Sequence, residues 1–238
     1  MILYYVRHGD PIYVTNQLTP LGQRQAEAVA KRLAVYGADK IYTSPSRRAR
    51  LTAQPLCELL KREPVVLDWC DEDIAYGELV VEKEDGGKTW LFRHPEGRIL
   101  SNSSEIYALG REWYNHSFFE GTKCAEGITR IQAEVDKFLA SLGYRHDLNR
   151  NCYYAEPGNQ DRVMLFAHEG VGAALLSCIL DIPYPLFATR FEMTHSGVTV
   201  LEFAEENGVV IPRIVTYSND SHLYREGLPT KHQNRICY

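Results

Sequence analysis

The sequence predicts a three-layer α/β/α fold around a mostly parallel central sheet. Three observations predict it. Over the first 68 residues, short apolar runs alternate with amphipathic stretches in the order strand, helix, strand, helix, strand, which reads as crossover units. The same pattern returns from 162. Basic residues and histidines interrupt the apolar runs at the strands' C-terminal ends, where such sheets bind ligands.

Residues 2–6 read as a short buried strand that stops at Arg7-His8-Gly9. "DPIYVTNQ" is a loop. "TPLGQRQAEAVAKRLAVYG" reads as a helix, with Thr19 as N-cap and Pro20 at the first helical position, where its missing N–H is not needed. Ala26, Val29, Ala30 and Leu33 share one face, and Gly37 is a stop signal. "KIYTS" (40–44) is a second strand. In "PSRRARLTAQPLCELLKR", Ala49, Thr52, Ala53, Leu56 and Leu60 form a helical face, and Pro55 predicts a kink. "PVVLD" (64–68) is a third strand.

Residues 69–160 are different in composition, with "EKEDGGK", "HPEGR" and "SNSSE". Helices are expected at about 103–116 and 125–142. Much of this stretch reads as an insertion over the sheet's C-terminal edge, within a single domain spanning 1–238. Its aromatics Trp90, Phe92, Trp113, Tyr114, Phe118 and Phe119 could line a pocket, but most are expected to build a small core of their own. "NRNCYYAEPGNQD" reads as a turn-rich connection. "RVMLFA" (162–167) is a strand, His168-Glu169-Gly170 a tight turn and "VGAALLSCIL" a helix. "VTVLEF" and "VVIPRIVTY" flank "AEENG" as a hairpin, and the tail from 218 reads as polar loop.

The formal net charge of −5 disfavours non-specific binding to nucleic acid or anionic membrane; a polyanion would need a local basic cluster. No signal-peptide pattern and no membrane-spanning apolar run is visible. The six cysteines, at 57, 70, 124, 152, 178 and 237, form no Cys-x-x-Cys pair, so a cytoplasmic chain with free thiols is expected. Nothing in the sequence speaks to oligomeric state.

If the strands ending at "VRHG", "SPSRRA" and "FAHEG" are neighbours, Arg7, His8, Arg48 and His168 converge. That concavity suits a dianion, most simply phosphate, because guanidinium forks give paired, charge-assisted hydrogen bonds. Backbone N–H groups after His168 would add donors. Each residue alone would be ordinary; their shared position at strand ends lifts the combination.

On these motifs the chain resembles the histidine phosphatase superfamily, also called the phosphoglycerate mutase-like family. "VRHG" matches its Arg-His-Gly signature, and "LTPLGQRQAEAVAKRL" the segment that follows. "IYTSPSRRARLTA" resembles its Ser-Pro-x-x-Arg-Ala-x-x-Thr-Ala stretch, which places the second arginine at Arg48. "LFAHEG" stands where the family has its strand-His-Gly turn. The match is close over 1–60, looser over 162–203 and weak between.

The resemblance implies a phosphomonoester hydrolase. His8 would attack phosphorus and become a phosphohistidine, which water hydrolyses. Arg7, Arg48 and His168 would clamp the phosphoryl group, so no metal or cofactor is expected. Gly9 would let the backbone pass without crowding the phosphate, and Thr15 or Asn16 would reach it. The family's acid lies shortly after the third strand. In "LDWCDEDIAYGEL" Glu72 is the choice, Asp73 fits the spacing to Gly77 better, and Asp71 stays open. The partner implied is a small phosphomonoester.

Two features depart from the family. Glu169 stands where glycine is usual. Its carboxylate belongs to the substrate site but is expected to turn away from phosphate; proton donation or contact with a cationic part of the substrate are the alternatives. The loop after His8 lacks the usual Gly-x-Thr-x-x-Asn spacing. A structural role is expected for His195, and no chemistry for "NDSHL". Three other readings compete. A phosphoglycerate mutase would carry Arg-x-Asn-Glu-Arg-x-Tyr-Gly, of which "CDEDIAYG" keeps only an acid and Tyr-Gly. An inactive phospho-ligand binding protein would be expected to lose one of Arg7, His8, Arg48 and His168. A metallohydrolase would set arginines beside its metal.

Overall fold

A computed structural model describes residues 1–230 of the chain. The N-terminal part contains β1 (Ile2–Arg7), a small ribbon of β2 (Pro11–Ile12) and β3 (Gln17–Leu18), α1 (Pro20–Ala34), β4 (Lys40–Thr43), α2 (Arg47–Leu60) and β5 (Val65–Val66). The middle contains α3 (Glu72–Glu78), a hairpin of β6 (Val80–Glu82) and β7 (Lys88–Trp90), then α4 (Pro95–Ser101), α5 (Ser104–Leu109) and α6 (Cys124–Ser141). After β8 (Tyr144–Asp147) and β9 (Cys152–Ala155) come β10 (Arg162–Ala167), α7 (Gly170–Ile179) and α8 (Tyr184–Ala188). The chain closes with β11 (Val198–Glu202), β12 (Glu205–Glu206), β13 (Val209–Val210), β14 (Arg213–Asn219) and α9 (Ser221–Arg225).

The central sheet has the order β14-β11-β1-β10-β4-β5. β1, β10, β4 and β5 run parallel, β11 joins β1 antiparallel, and β14 pairs antiparallel with β11 and so runs in the direction of β1. Side chains alternate across it. Tyr4, Val6, Met164 and Phe166 face one side, in an apolar cluster with Val29, Ala30 and Leu33 of α1 and Ala53 and Leu56 of α2. Leu3, Tyr5, Val163 and Leu165 face the other, with Val171 and Leu175 of α7 and Ile131, Val135 and Leu139 of α6. The three-layer expectation therefore holds.

Register fixes the site. Arg7 pairs with Ala167, and Phe166 with Thr43. The ladder continues one step, His8 N–H donating to Ala167 at 2.9 Å and Ser44 N–H to Phe166 at 2.9 Å. His8, His168 and Ser44 therefore follow adjacent parallel strands at the same end. Thr19 caps α1 by accepting from Gly22 N–H at 3.0 Å, and its hydroxyl donates to Asp10 at 2.8 Å.

Several local expectations need correction. The helix over 103–116 ends at Leu109, because Gly110 takes a left-handed φ of +56°, and a 3₁₀ stretch follows. Part of the "turn-rich" connection is β9, paired with β8 and β13 in a second sheet. The expected hairpin forms as β11–β14, but its tip, β12–β13, joins that second sheet. The tail from 218 includes the end of β14 and then α9, whose Leu223 is buried with Leu228 against Ala28 of α1. Pro55 lies inside α2, where the sequence places it.

The segment 69–160 divides in two. α6 is one of the helices covering the sheet: Phe138 meets Tyr42 of β4 edge-on at 5.1 Å. Trp113 and Phe119 are buried in that same main cluster, not in a separate core. Trp90 and Phe92 instead reach the C-terminal strand ends, as shown below. Cys57, Cys70, Cys124, Cys152 and Cys178 are free and buried; Cys237 lies outside the described residues. Among the described residues, no helix is long and apolar enough to cross a membrane.

One buried ionic cluster on α6 and β8 makes a stability prediction. His146 lies between Asp136 (2.8 Å) and Asp181 (3.1 Å) and stacks on Tyr153 at 4.2 Å. Burial alone would lower its pKa. The hydrogen bonds to the two aspartates outweigh that and raise it to about 9. A histidine with a raised folded pKa contributes stability that is full below the unfolded value near 6.5 and lost as pH rises through about 9. Melting followed from pH 6 to 10 should show a loss of about 2–3 kcal/mol in wild type that His146→Gln lacks. Parallel curves for the two proteins would contradict this.

Candidate active site

Arg7 and His8 end β1, Ser44 and Arg48 follow β4, and His168 follows β10. All five are buried, Arg48 the most exposed at 6%. Arg7, His8 and Arg48 line a cleft of about 390 Å³ together with Asn16, Glu72 and Glu169, among others; Ser44 and His168 are not among its lining residues.

His8 Nδ1 is 2.7 Å from the carbonyl oxygen of Gly9. A carbonyl only accepts, so Nδ1 carries the proton and Nε2 keeps its lone pair. Burial, then the neighbouring His168 and Arg7, hold the His8 pKa well below its usual value. The ring is neutral near pH 7. His168 lies 5.2 Å away, centroid to centroid, and is also held well below its usual pKa by burial, Arg48 and Arg7. Its Nε2 is 2.8 Å from Ser44 Oγ.

Three buried nitrogens around His8 have no hydrogen-bond partner among the described residues: Arg7 Nε, Arg48 Nε and His168 Nδ1. Buried polar groups are nearly always satisfied. Three orphans at one place, two of them cationic, describe a receptacle for an anion.

Arg48 is set by Asn16, whose left-handed backbone (φ 53°) closes the β2–β3 loop. Asn16 Oδ1 accepts from Arg48 Nη1 at 3.0 Å, Arg48 N at 3.3 Å and Ser46 Oγ at 2.8 Å. Asn16, not Thr15, is therefore the loop residue at the cleft. Asn16→Ala should lower kcat/KM roughly tenfold by freeing Arg48, with about 1 kcal/mol lost from the fold. Steady-state kinetics beside thermal melting checks both numbers.

Glu72 opens α3 and lines the cleft. Its carboxylate accepts from Gly170 N–H at 3.0 Å and Val171 N–H at 2.9 Å, the first amides of α7. The helix start expected to receive phosphate is thus occupied by the acid. Burial pushes the Glu72 carboxyl up to about 6, against the pull of those amides and of Arg48 and Arg7. Trp90 supplies part of the cover: a side chain at Gly170 would meet its ring at 2.3 Å and Glu72 Oε1 at 2.9 Å. Asp71 is used as the cap of α3, accepting from Asp73 N–H at 3.0 Å, while Asp73 is exposed at the cleft.

Two site expectations change. Gly9 does not line the cleft. A Cβ there would lie 2.6 Å from the Gly22 carbonyl oxygen, so the glycine is needed for the close approach of α1. Glu169 does not turn away. It lines the cleft, with Oε2 3.3 Å from both Arg7 Nη1 and Arg93 Nη2.

Sequence reasoning did not select Arg93, Tyr13 or Tyr76, which also line the cleft, and it gave His195 a structural role. His195 is buried 5.6 Å from His8, ring to ring, with Nδ1 3.4 Å from Asp10. Its place follows from the pairing of β11 antiparallel to β1, which returns the residues just before β11 to the C-terminal end of β1.

The sequence profile of the histidine phosphatase superfamily (branch 1) matches residues 3–87. A mannitol-1-phosphatase of Eimeria tenella is 28% identical over 186 residues, 71% of this chain and 58% of that protein. The fold is similar to that of Entamoeba histolytica phosphoserine phosphatase in complex with 3-phosphoglyceric acid (TM-score 0.58, 19% identity, 93% of this chain and 98% of that one). It is equally similar to mycobacterial glucosyl-3-phosphoglycerate phosphatase with inorganic phosphate (TM-score 0.58, 22% identity, 93% and 98%).

Proposed function

We propose that the chain is a member of the histidine phosphatase superfamily, a reading supported by the profile match over residues 3–87 and by the fold, and that it hydrolyses small phosphomonoesters through a phosphohistidine on His8. The observation that carries this reading is the orientation of His8: Nδ1 is held by the Gly9 carbonyl, and Nε2 is left as nucleophile in a pocket with three unsatisfied nitrogens.

Phosphate would bind against Arg7, Arg48 and His168. His8 Nε2 attacks phosphorus as the ester P–O bond breaks. Glu72, protonated below about pH 6, gives its proton to the departing oxygen. Water then enters; ionised Glu72 takes its proton as it attacks phosphorus, the N–P bond breaks, and inorganic phosphate leaves. The cationic side chains stabilise the transferring group, and a metal is not required.

The names of the similar proteins, a mannitol-1-phosphatase, a phosphoserine phosphatase and a glucosyl-3-phosphoglycerate phosphatase, support a small phosphorylated substrate. Trp90 and Phe92, stacked at 5.5 Å, and Tyr76 form an aromatic wall beside the cleft. The first part of the 69–160 segment would thus shape the leaving-group end. The buried free thiols fit a reducing, cytoplasmic setting.

Turnover of a chromogenic phosphomonoester in the presence of chelator tests the reading. Metal-free hydrolysis that requires His8 is expected. Loss of turnover in chelator would favour metal chemistry. Phosphate binding without turnover would favour a binding role, and transfer to an acceptor in place of release would favour a mutase.

A further inference from the structure

We propose that Glu169 is a positioning residue for Arg7: it fixes the guanidinium so that its Nε–H and Nη2–H edge faces the phosphate. The proposal rests on the phosphate-binding reading of the cleft above.

Arg7 is 3% exposed at its side chain and Glu169 11%, so neither is free to reorient in bulk water. Arg7 Nη1 is committed twice. It donates to the Met193 carbonyl and lies 3.3 Å from Glu169 Oε2. Glu169 is anchored in turn, Oε1 accepting from Met193 N–H at 3.3 Å. Glu169 and the Met193 backbone therefore hold one corner of the guanidinium from two directions. The edge left over is Nε with Nη2, and Nε is one of the buried orphans. That edge is the two-pronged fork that matches two phosphate oxygens.

A carboxylate beside a dianion would be unfavourable on charge alone. Here Oε2 is shared between two guanidiniums, Arg7 and Arg93, each at 3.3 Å. Arg7, Arg48 and Arg93 against Glu169 leave two net positive charges for a dianionic phosphate when Glu72 is protonated. Arg93 follows β7, so the same carboxylate ties the cover over the cleft to the phosphate clamp.

Steady-state kinetics on a Glu169→Gln and Arg7→Lys cycle is the test, because lysine has no fork to orient. Glu169→Gln should lower kcat about tenfold with KM unchanged or lower. In the Arg7→Lys background the same change should alter kcat less than about twofold. Glu169→Ala should lose at least as much as Glu169→Gln. A second readout needs no turnover. The Arg7 Nε–H resonance, identified by its loss in Arg7→Lys, should be sharp in wild type and shift with inorganic phosphate. In Glu169→Gln it should be broadened or lost. Unchanged or higher kcat in Glu169→Gln, an equal loss in both backgrounds, or an unaltered Nε–H signal would overturn the proposal. A wild type that binds phosphate but hydrolyses nothing would instead defeat the hydrolase reading and leave the resonance test standing.

Discussion

Replacing His8 with alanine is expected to lower kcat/KM for any phosphomonoester by at least about 10³-fold, since loss of a covalent nucleophile is among the most costly single changes. The fold should tolerate it. His8 is buried but makes one side-chain hydrogen bond, to the carbonyl next door. Burial, with His168, Arg7 and Arg48 acting in the same direction, holds it neutral. Removing a ring with a strongly lowered pKa also removes a group whose protonation opposes folding. Stability from such a group is full above the unfolded pKa near 6.5 and declines as pH falls below it. His8→Ala should therefore melt no lower than wild type at acid pH relative to neutral, while activity is gone. A melting curve beside an assay separates loss of chemistry from loss of fold.

The second large effect concerns Glu72. Glu72→Gln should slow turnover of an alkyl phosphate about 10²–10⁴-fold, because the poor leaving group needs its proton. A nitrophenyl phosphate needs none. With that substrate the variant should release one nitrophenolate per site in a burst and then turn over slowly, since the same carboxylate is needed to activate water. In wild type, kcat/KM for alkyl esters, corrected for the substrate's own ionisation near pH 6, should fall tenfold per unit above about pH 6, where Glu72 loses its proton. Trp90→Ala, which uncovers the carboxyl, should move that limb to lower pH. An alkyl-ester rate that ignores Glu72→Gln would assign the acid elsewhere, with Asp73 an exposed carboxyl at the cleft.

Much of this was legible from the chain. β1, α1, β4, α2 and β10 carry period and capping signals that local physics obeys, and Arg7, His8, Arg48 and His168 stand at strand ends because parallel register brings those ends together. Other features depend on contacts far apart in sequence. Gly9 is explained by Gly22, and Glu169 by Arg93 and Met193. The sequence marks the amides of Gly170 and Val171 as phosphate donors, but Glu72, 98 residues from Gly170, accepts from both. His195 was read as structural because its proximity to His8 follows from the antiparallel return of β11, which no local pattern encodes. β8 and β9 are four residues each and only half-buried at their C-terminal ends, so their pairing is decided by tertiary packing.

The central claim is that phosphate passes through a covalent bond to His8 Nε2. Rapid mixing with an aryl phosphate followed by alkaline quench and peptide mass analysis measures it directly, best in Glu72→Gln, where the intermediate should accumulate. The expected result is a phosphoryl group on the peptide containing His8, stable in alkali and lost in acid, formed at the rate of the burst. Turnover at the wild-type rate in His8→Ala, or a burst with the phosphoryl group on another residue, would contradict it.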